Sequence, residues 1–201
     1  MAGTREDWFP TSVWCFQVAD HERLNAELLQ LIEAERRRDT RGVTDRSSVL
    51  GWHSATDLHR RPEFAAFVEV VRRHALEVAQ FQRWDLGRGD LALLDCWANV
   101  NGKHAGNAYH NHGNSFLSGA YYVQAPEACG ALVFRDPREG ALLLSPPLAE
   151  YTMWTFQTAR YQPGPGRMLI FPSWLYHMVE PNLSDQERVS LSFNIGYRPR
   201  E

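Results

Sequence analysis

"RVSLSFNIGY", residues 188–197, alternates without a break: Val189, Leu191, Phe193 and Ile195 are apolar, while Arg188, Ser190, Ser192 and Asn194 are polar. Successive side chains of an extended strand point to opposite faces, so the segment predicts a strand with one apolar face and one wholly polar face. With helices packed on the outside of the sheet, the apolar set turns toward them. Arg188 and Ser190 then point into the interior. An interior arginine is costly unless it meets an anion, so this placement asks for a partner.

Working outward, residues from Leu91 onward share this strand character. Short runs rich in aromatic and β-branched residues ("LALLDCWANV", "SFLSGAYYVQ", "GALVFRD", "YTMWTFQ", "RMLIFPSW") are separated by Gly, Pro and Asn clusters. Six or more such strands without helical patterns between them predict an antiparallel sandwich or barrel. The first half reads as helical. Asp20 stands as an N-cap before Leu24, Leu28, Leu31 and Ile32, which recur at helical spacing until Gly42. A second helix follows Pro62, with Phe64, Phe67, Val68, Val71, Ala75, Val78 and Ala79 on one stripe. "SSVLGWHSATDL" between them reads as a loop. The expectation is a mixed α/β (α+β) fold: one domain over residues 1–201, with a helical N-terminal part (1–90) packed on one sheet of a barrel core (91–198).

A chain of 201 residues can bury a core without staples. Cys15, Cys96 and Cys129 are odd in number and lack CxxC spacing, which fits neither a disulfide framework nor a zinc ribbon and suits a reducing compartment. "MAGTREDWFP" lacks an apolar signal core, and no stretch approaches the roughly 18 apolar residues of a membrane span. A cytoplasmic location without membrane contact is expected. The 21 basic and 24 acidic residues give a formal charge of -3 with no basic stripe, which argues against a nucleic-acid partner. "ERRRDTRG" reads as a solvated helix end whose cations complement the dipole.

The chemistry begins at "YHNHGNS", residues 109–115. His110 and His112 share strand parity, so both imidazoles can project from one face and reach one metal ion. His177, in "FPSWLYHMVEP", offers a third ligand; His21, His59, His74 and His104 read as ordinary core or surface histidines. Arg188-Val189-Ser190 then places a bidentate guanidinium and a hydroxyl on one face, a fit for a carboxylate. The bland alternative is a structural salt bridge from Arg188 to an acid such as Asp136, whose own simplest role is to start a turn before Pro137.

Taken together, H-x-H, "SGAYYVQAPEACGALVFRDPR", "FPSWLYHMVEP" and R-x-S-x-S-F-N resemble the 2-oxoglutarate/iron(II) dioxygenases of the bacterial and phage type. "WFPTSVW" and "GWHS" extend the likeness to roughly residues 8–198. The resemblance implies a double-stranded β-helix, a jelly-roll or cupin-like barrel, and an enzyme that uses Fe(II), 2-oxoglutarate and O2. It implies that His110 and His177 are metal ligands and that Arg188 binds the distal carboxylate of 2-oxoglutarate with help from Ser190. Tyr122 or Tyr121, whichever faces inward, adds a phenol hydrogen bond; Tyr122 shares the parity of the histidines if no bulge intervenes at Gly113 or Gly119. The implied reaction is oxidative decarboxylation to succinate and CO2 coupled to hydroxylation of a small-molecule C–H bond.

His112 departs from the superfamily's commoner carboxylate at that place. Three readings stand: a three-histidine facial site, a site of two histidines and water, or another metal with different chemistry. Trp52, His53, Asn99, Lys103, Asn111, Arg135, Trp154 and Trp174 are candidates for the substrate mouth, with Asn99 and Asn111 preferred. A small-molecule substrate is favoured, and a monomer or homodimer is compatible with the sequence. The competing functions are a non-catalytic cupin-like metal or small-molecule binding protein and a three-histidine dioxygenase that does without 2-oxoglutarate.

Overall fold

Strand β1 (Trp14–Gln17) leads into helix α1 (His21–Arg38) in the computed structural model, which describes residues 3–44 and 46–200. Helix α1 buries Asn25, Leu28 and Ile32 on one stripe. Asp20 occupies the N-cap position but lies in the left-handed region and makes no side-chain capping bond, so it caps by place and not by chemistry. Arg36, Arg37 and Arg38 fill the last turn, and Arg36 pairs with Glu187 at 2.9 Å. That is the solvated, dipole-complementing helix end the sequence suggests.

The expected loop at 47–58 contains two short strands, β2 (Ser48–Val49) and β3 (Trp52–His53). The helical N-terminal part thus also supplies strands to the barrel. Pro62 opens a 3-10 turn, after which α2 (Ala65–Phe81) buries Phe67, Val71, Ala75 and Val78. The remaining chain forms β4 (Gly89–Asn101), β5 (Gly106–His110), β6 (Leu117–Gln124), β7 (Leu132–Arg135), a short α3 (Glu139–Leu143), β8 (Thr158–Tyr161), β9 (Arg167–Pro172), β10 (His177–Val179) and β11 (Arg188–Pro199). One expected strand is displaced: residues 151–157 form a turn, and β8 follows it. The Thr152 N–H donates to Thr155 Oγ1 at 2.8 Å, and the Phe156 N–H to the Thr152 carbonyl at 3.0 Å, so local bonds take the backbone groups that a ladder would need.

Among the described residues, the strands form two sheets in the orders β1-β9-β6-β11-β4-β3 and β2-β5-β10-β7-β8, with every pairing antiparallel. This is a double-stranded β-helix. The helices cover the outside of the larger sheet: Leu28, Ile32, Phe67 and Val71 join Val189, Leu191, Phe193 and Ile195 in one core cluster. Each large side chain so buried contributes roughly 1.5–3 kcal/mol. A smaller cluster inside the barrel contains Tyr122, Phe134, Leu169 and Phe171.

Gly119 makes no bulge. It lies opposite Phe193, and a Cβ there would run into the Phe193 ring and the Leu169 carbonyl. Register shifts fall instead at Val189/Ser190 and Asn194/Ile195. No helix among the described residues is long and apolar enough to cross a membrane.

Candidate active site

The inner face of the larger sheet is built from alternate residues of three neighbouring strands. On β11, Arg188, Ser190, Ser192 and Asn194 point inward; across β4 they face Asn101, Asn99, Trp97 and Asp95 in turn. Across β6, Ser190 faces Tyr122 and Ser192 faces Ala120. These residues line a cavity of about 540 Å³ whose other wall carries His110, His112 and His177.

The smaller sheet brings the histidines together. His110 ends β5 and is paired across the ladder with His177 at the start of β10. His112 lies two residues past the end of β5, in a loop anchored by its own N–H to the Ser173 carbonyl at 2.9 Å. Ring centroids are 4.3 Å apart for His110 and His177, 5.1 Å for His110 and His112, and 5.3 Å for His112 and His177. One nitrogen from each lies within 4.8 Å of the other two. His110 Nδ1 contacts the Ala108 carbonyl at 2.7 Å and His177 Nδ1 the Leu175 carbonyl at 2.9 Å. A carbonyl can only accept, so each Nδ1 carries the proton and each Nε2 keeps its lone pair. Burial, and then the neighbouring His110, push the pKa of His177 down to about 3 and that of His112 down to about 4; burial also lowers His110. All three are neutral ligands at neutral pH, as a metal requires.

At the far end, Arg188 is 1 % exposed. Its Nη1 donates to the carbonyls of Cys129, Gly130 and Glu180, and its Nη2 has no partner. Burial pulls its pKa down, as expected for a cation taken out of water without a paired anion. Asp136 is not that anion. Its carboxylate accepts from the Arg138 backbone N–H, Nε and Nη2, which makes it a turn residue. Tyr122 is buried on the same wall, its hydroxyl pushed up to about 12 by desolvation and pulled back by the Arg188 charge. Tyr121 faces the other way and donates to Asn25 Oδ1 of α1 at 2.6 Å.

The sequence profile of a family described as "Putative 2OG-Fe(II) oxygenase" matches residues 95–194, a span that holds the three histidines, Tyr122, Arg188 and Ser190. The chain belongs to the 2OG-Fe(II) oxygenase family. The fold of this oxygenase is similar to that of the 2-oxoglutarate-dependent carbocyclase SnoK from nogalamycin biosynthesis (TM-score 0.69, 14% identity, 94% of this chain and 82% of that one). It is also similar to a prolyl hydroxylase from Trichoplax adhaerens (0.62, 14%, 93% and 83%) and a prolyl-4-hydroxylase from Pseudomonas putida (0.57, 18%, 94% and 94%). No curated protein matches the sequence. The oxygenase is an enzyme that uses iron(II), 2-oxoglutarate and O2.

The residues fit those groups. Three neutral nitrogens on one side of a site leave positions open for a chelating oxoacid and oxygen. The orphaned Nη2 of Arg188 offers a buried cation to a carboxylate. Among the substrate candidates, Asn99 and Asn111 line the cavity, as does His53, which pairs with Asn99 across β3 and β4. Trp52 pairs with Val100, faces the helices, and donates its indole N–H to the Asp39 carbonyl at 2.8 Å. Lys103 pairs with Asp185 at 2.7 Å on the surface. Trp174, Arg135 and Trp154 also lie outside the cavity lining, and only the Trp174 carbonyl reaches Asn111, at 3.4 Å. The inward residues Asp95, Trp97, Asn101, Ser192 and Asn194 went unremarked as site residues, although the alternation in "DCWANVN" is the same signal that marks β11.

Proposed function

We propose that this oxygenase hydroxylates a C–H bond of a small molecule in the cytoplasm, and that residues 1–201 act as one domain, with His110, His112 and His177 holding the iron. Arg188, Ser190 and Tyr122 hold the distal carboxylate of 2-oxoglutarate. The observation that carries this reading is a buried arginine that forms no ion pair among the described residues and keeps Nη2 without a partner, in the same cavity as three neutral histidines. A simple metal binder has no need for such a cation.

Bound iron(II) and 2-oxoglutarate supply oxygen activation: one oxygen atom enters succinate as CO2 leaves, and the other is inserted into the substrate C–H bond. The protein's part is to bind and orient. Arg188 Nη2 and the Ser190 and Tyr122 hydroxyls offer donors to one carboxylate, and charge-assisted bonds of this kind are worth roughly 1.5–3 kcal/mol each. Nδ1–H bonds from His110 and His177 to backbone carbonyls fix their rings with Nε2 toward the cavity. Phe134 and Phe171 pack on His177 at centroid distances of 5.9 and 4.8 Å and keep water from that side. A cavity of about 540 Å³ inside the barrel suits a small substrate beside the cosubstrate. SnoK is from nogalamycin biosynthesis and the Trichoplax enzyme is in complex with a peptide fragment; here the cavity inside the barrel is what supports a small substrate.

The test is anaerobic loading with iron(II) followed by 2-oxoglutarate. A visible charge-transfer band that Arg188→Ala abolishes or weakens strongly is the expected result. No band in the native protein would refute the assignment.

A further inference from the structure

Resting on the reading above, we infer that Asp95 is a specificity residue and that the substrate carries a cationic amine, which Asp95 binds beside the metal. Asp95 is the one carboxylate among the described residues that line the cavity. Its orientation is fixed by a short relay: Ser118 Oγ donates to Asn194 Oδ1 at 2.8 Å, and Asn194 Nδ2 donates to Asp95 Oδ2 at 3.1 Å. Asp95 Oδ1 accepts from none of the described residues, and no arginine or lysine among them forms an ion pair with Asp95, whose charge is felt by His59 and His112. One oxygen of a held, ionisable group that lines the cavity therefore has no hydrogen-bond donor among the described residues.

Its level in the barrel points to substrate and not to cosubstrate. Arg188 and Asn194 are six residues apart on β11, a rise of about 20 Å at roughly 3.3 Å per residue. Arg188 faces Asn101 at one end, Ser192 faces Trp97 in the middle, and Asn194 faces Asp95 at the other end. Trp97 lies 5.6 Å from the His112 ring, so the metal level falls between the arginine and the acid. A five-carbon diacid anchored on Arg188 and chelating at the histidines does not reach Asp95. His53 stacks on Trp97 at 5.6 Å with an interplanar angle of 13°, giving the same region an aromatic wall. An arylalkylamine matches both features, its ammonium on Asp95 and its ring against the Trp97 wall.

The probes are phenethylamine, phenethyl alcohol and phenylacetate, titrated calorimetrically into the anaerobic protein loaded with iron(II) and 2-oxoglutarate. The amine should bind at least about 10-fold more tightly than the alcohol, the anion most weakly, and Asp95→Asn should erase the preference while keeping the charge-transfer band. Equal binding of amine and alcohol by the native protein would overturn the inference. So would an amine preference that survives in Asp95→Asn, or a variant that loses iron affinity while keeping that preference, which would make Asp95 a support for His112. If the native protein shows no charge-transfer band, the oxygenase site fails, but heats measured without cosubstrate still decide the amine preference.

Discussion

At the residue scale the unusual feature is His112, an imidazole where a carboxylate is commoner. The three-histidine cluster is one unit more positive than a site with two histidines and an acid, which favours a dianionic cosubstrate. His112→Asp should therefore keep iron but bind 2-oxoglutarate more weakly. His112→Ala should lower iron affinity by more than the roughly 10–100-fold typical of losing an outer partner; metal titration with a competing chelator measures both. The histidines also set a pH dependence. Their unfolded-state pKa is near 6.5, and the folded values of His112 and His177 are about 4 and about 3, so between these limits the unfolded chain binds more protons. The metal-free protein should be at full stability above pH 6.5 and lose stability as the pH falls toward 4. Melting curves of the native protein against a His112→Gln/His177→Gln variant should show the variant falling less.

At the scale of the element, strands β6 and β11 approach closely because Gly119 lets the Phe193 ring lie over it. Gly119→Ala should cost about 1–3 kcal/mol by overpacking, read from chemical denaturation. The same pair of strands shows what is legible locally. Alternation in residues 188–197 placed Arg188 and Ser190 on the inward face, whereas Tyr122 and not Tyr121 faces inward although the chain between His110 and Leu117 leaves the strand that the parity argument required. Aromatic and β-branched composition misled at 151–157, where Tyr151, Met153, Trp154 and Phe156 look strand-like but are exposed and held in a turn. Alternation was silent on β3, where two residues suffice: Trp52 turns to the helices and His53 to the cavity. A strand that short carries no period to read.

For the whole molecule, the larger sheet separates two functions onto its two faces. Helices cover one face, and the other lines the site. Phe67→Ala, which removes ring contacts at 5.3 Å to Tyr121 and 6.3 Å to Phe193, should lower stability by about 3–5 kcal/mol. At temperatures well below its melting point, 2-oxoglutarate affinity by calorimetry should stay unchanged, since no inward residue is altered. The sequence by itself determined the strand faces, the helix stripes, the candidate histidines and the inward placement of Arg188, because alternation and spacing are properties of the local chain. Only the tertiary structure decided which distant residues share the cavity. The pairing of His110 with His177, the lack of an ion-pair partner for Arg188 among the described residues, the surface position of Lys103 and the Asp95 oxygen without a donor among them depend on how sheets close and strands register. Those are long-range outcomes, set by the sum of packing across the barrel, and no short stretch of chain encodes them.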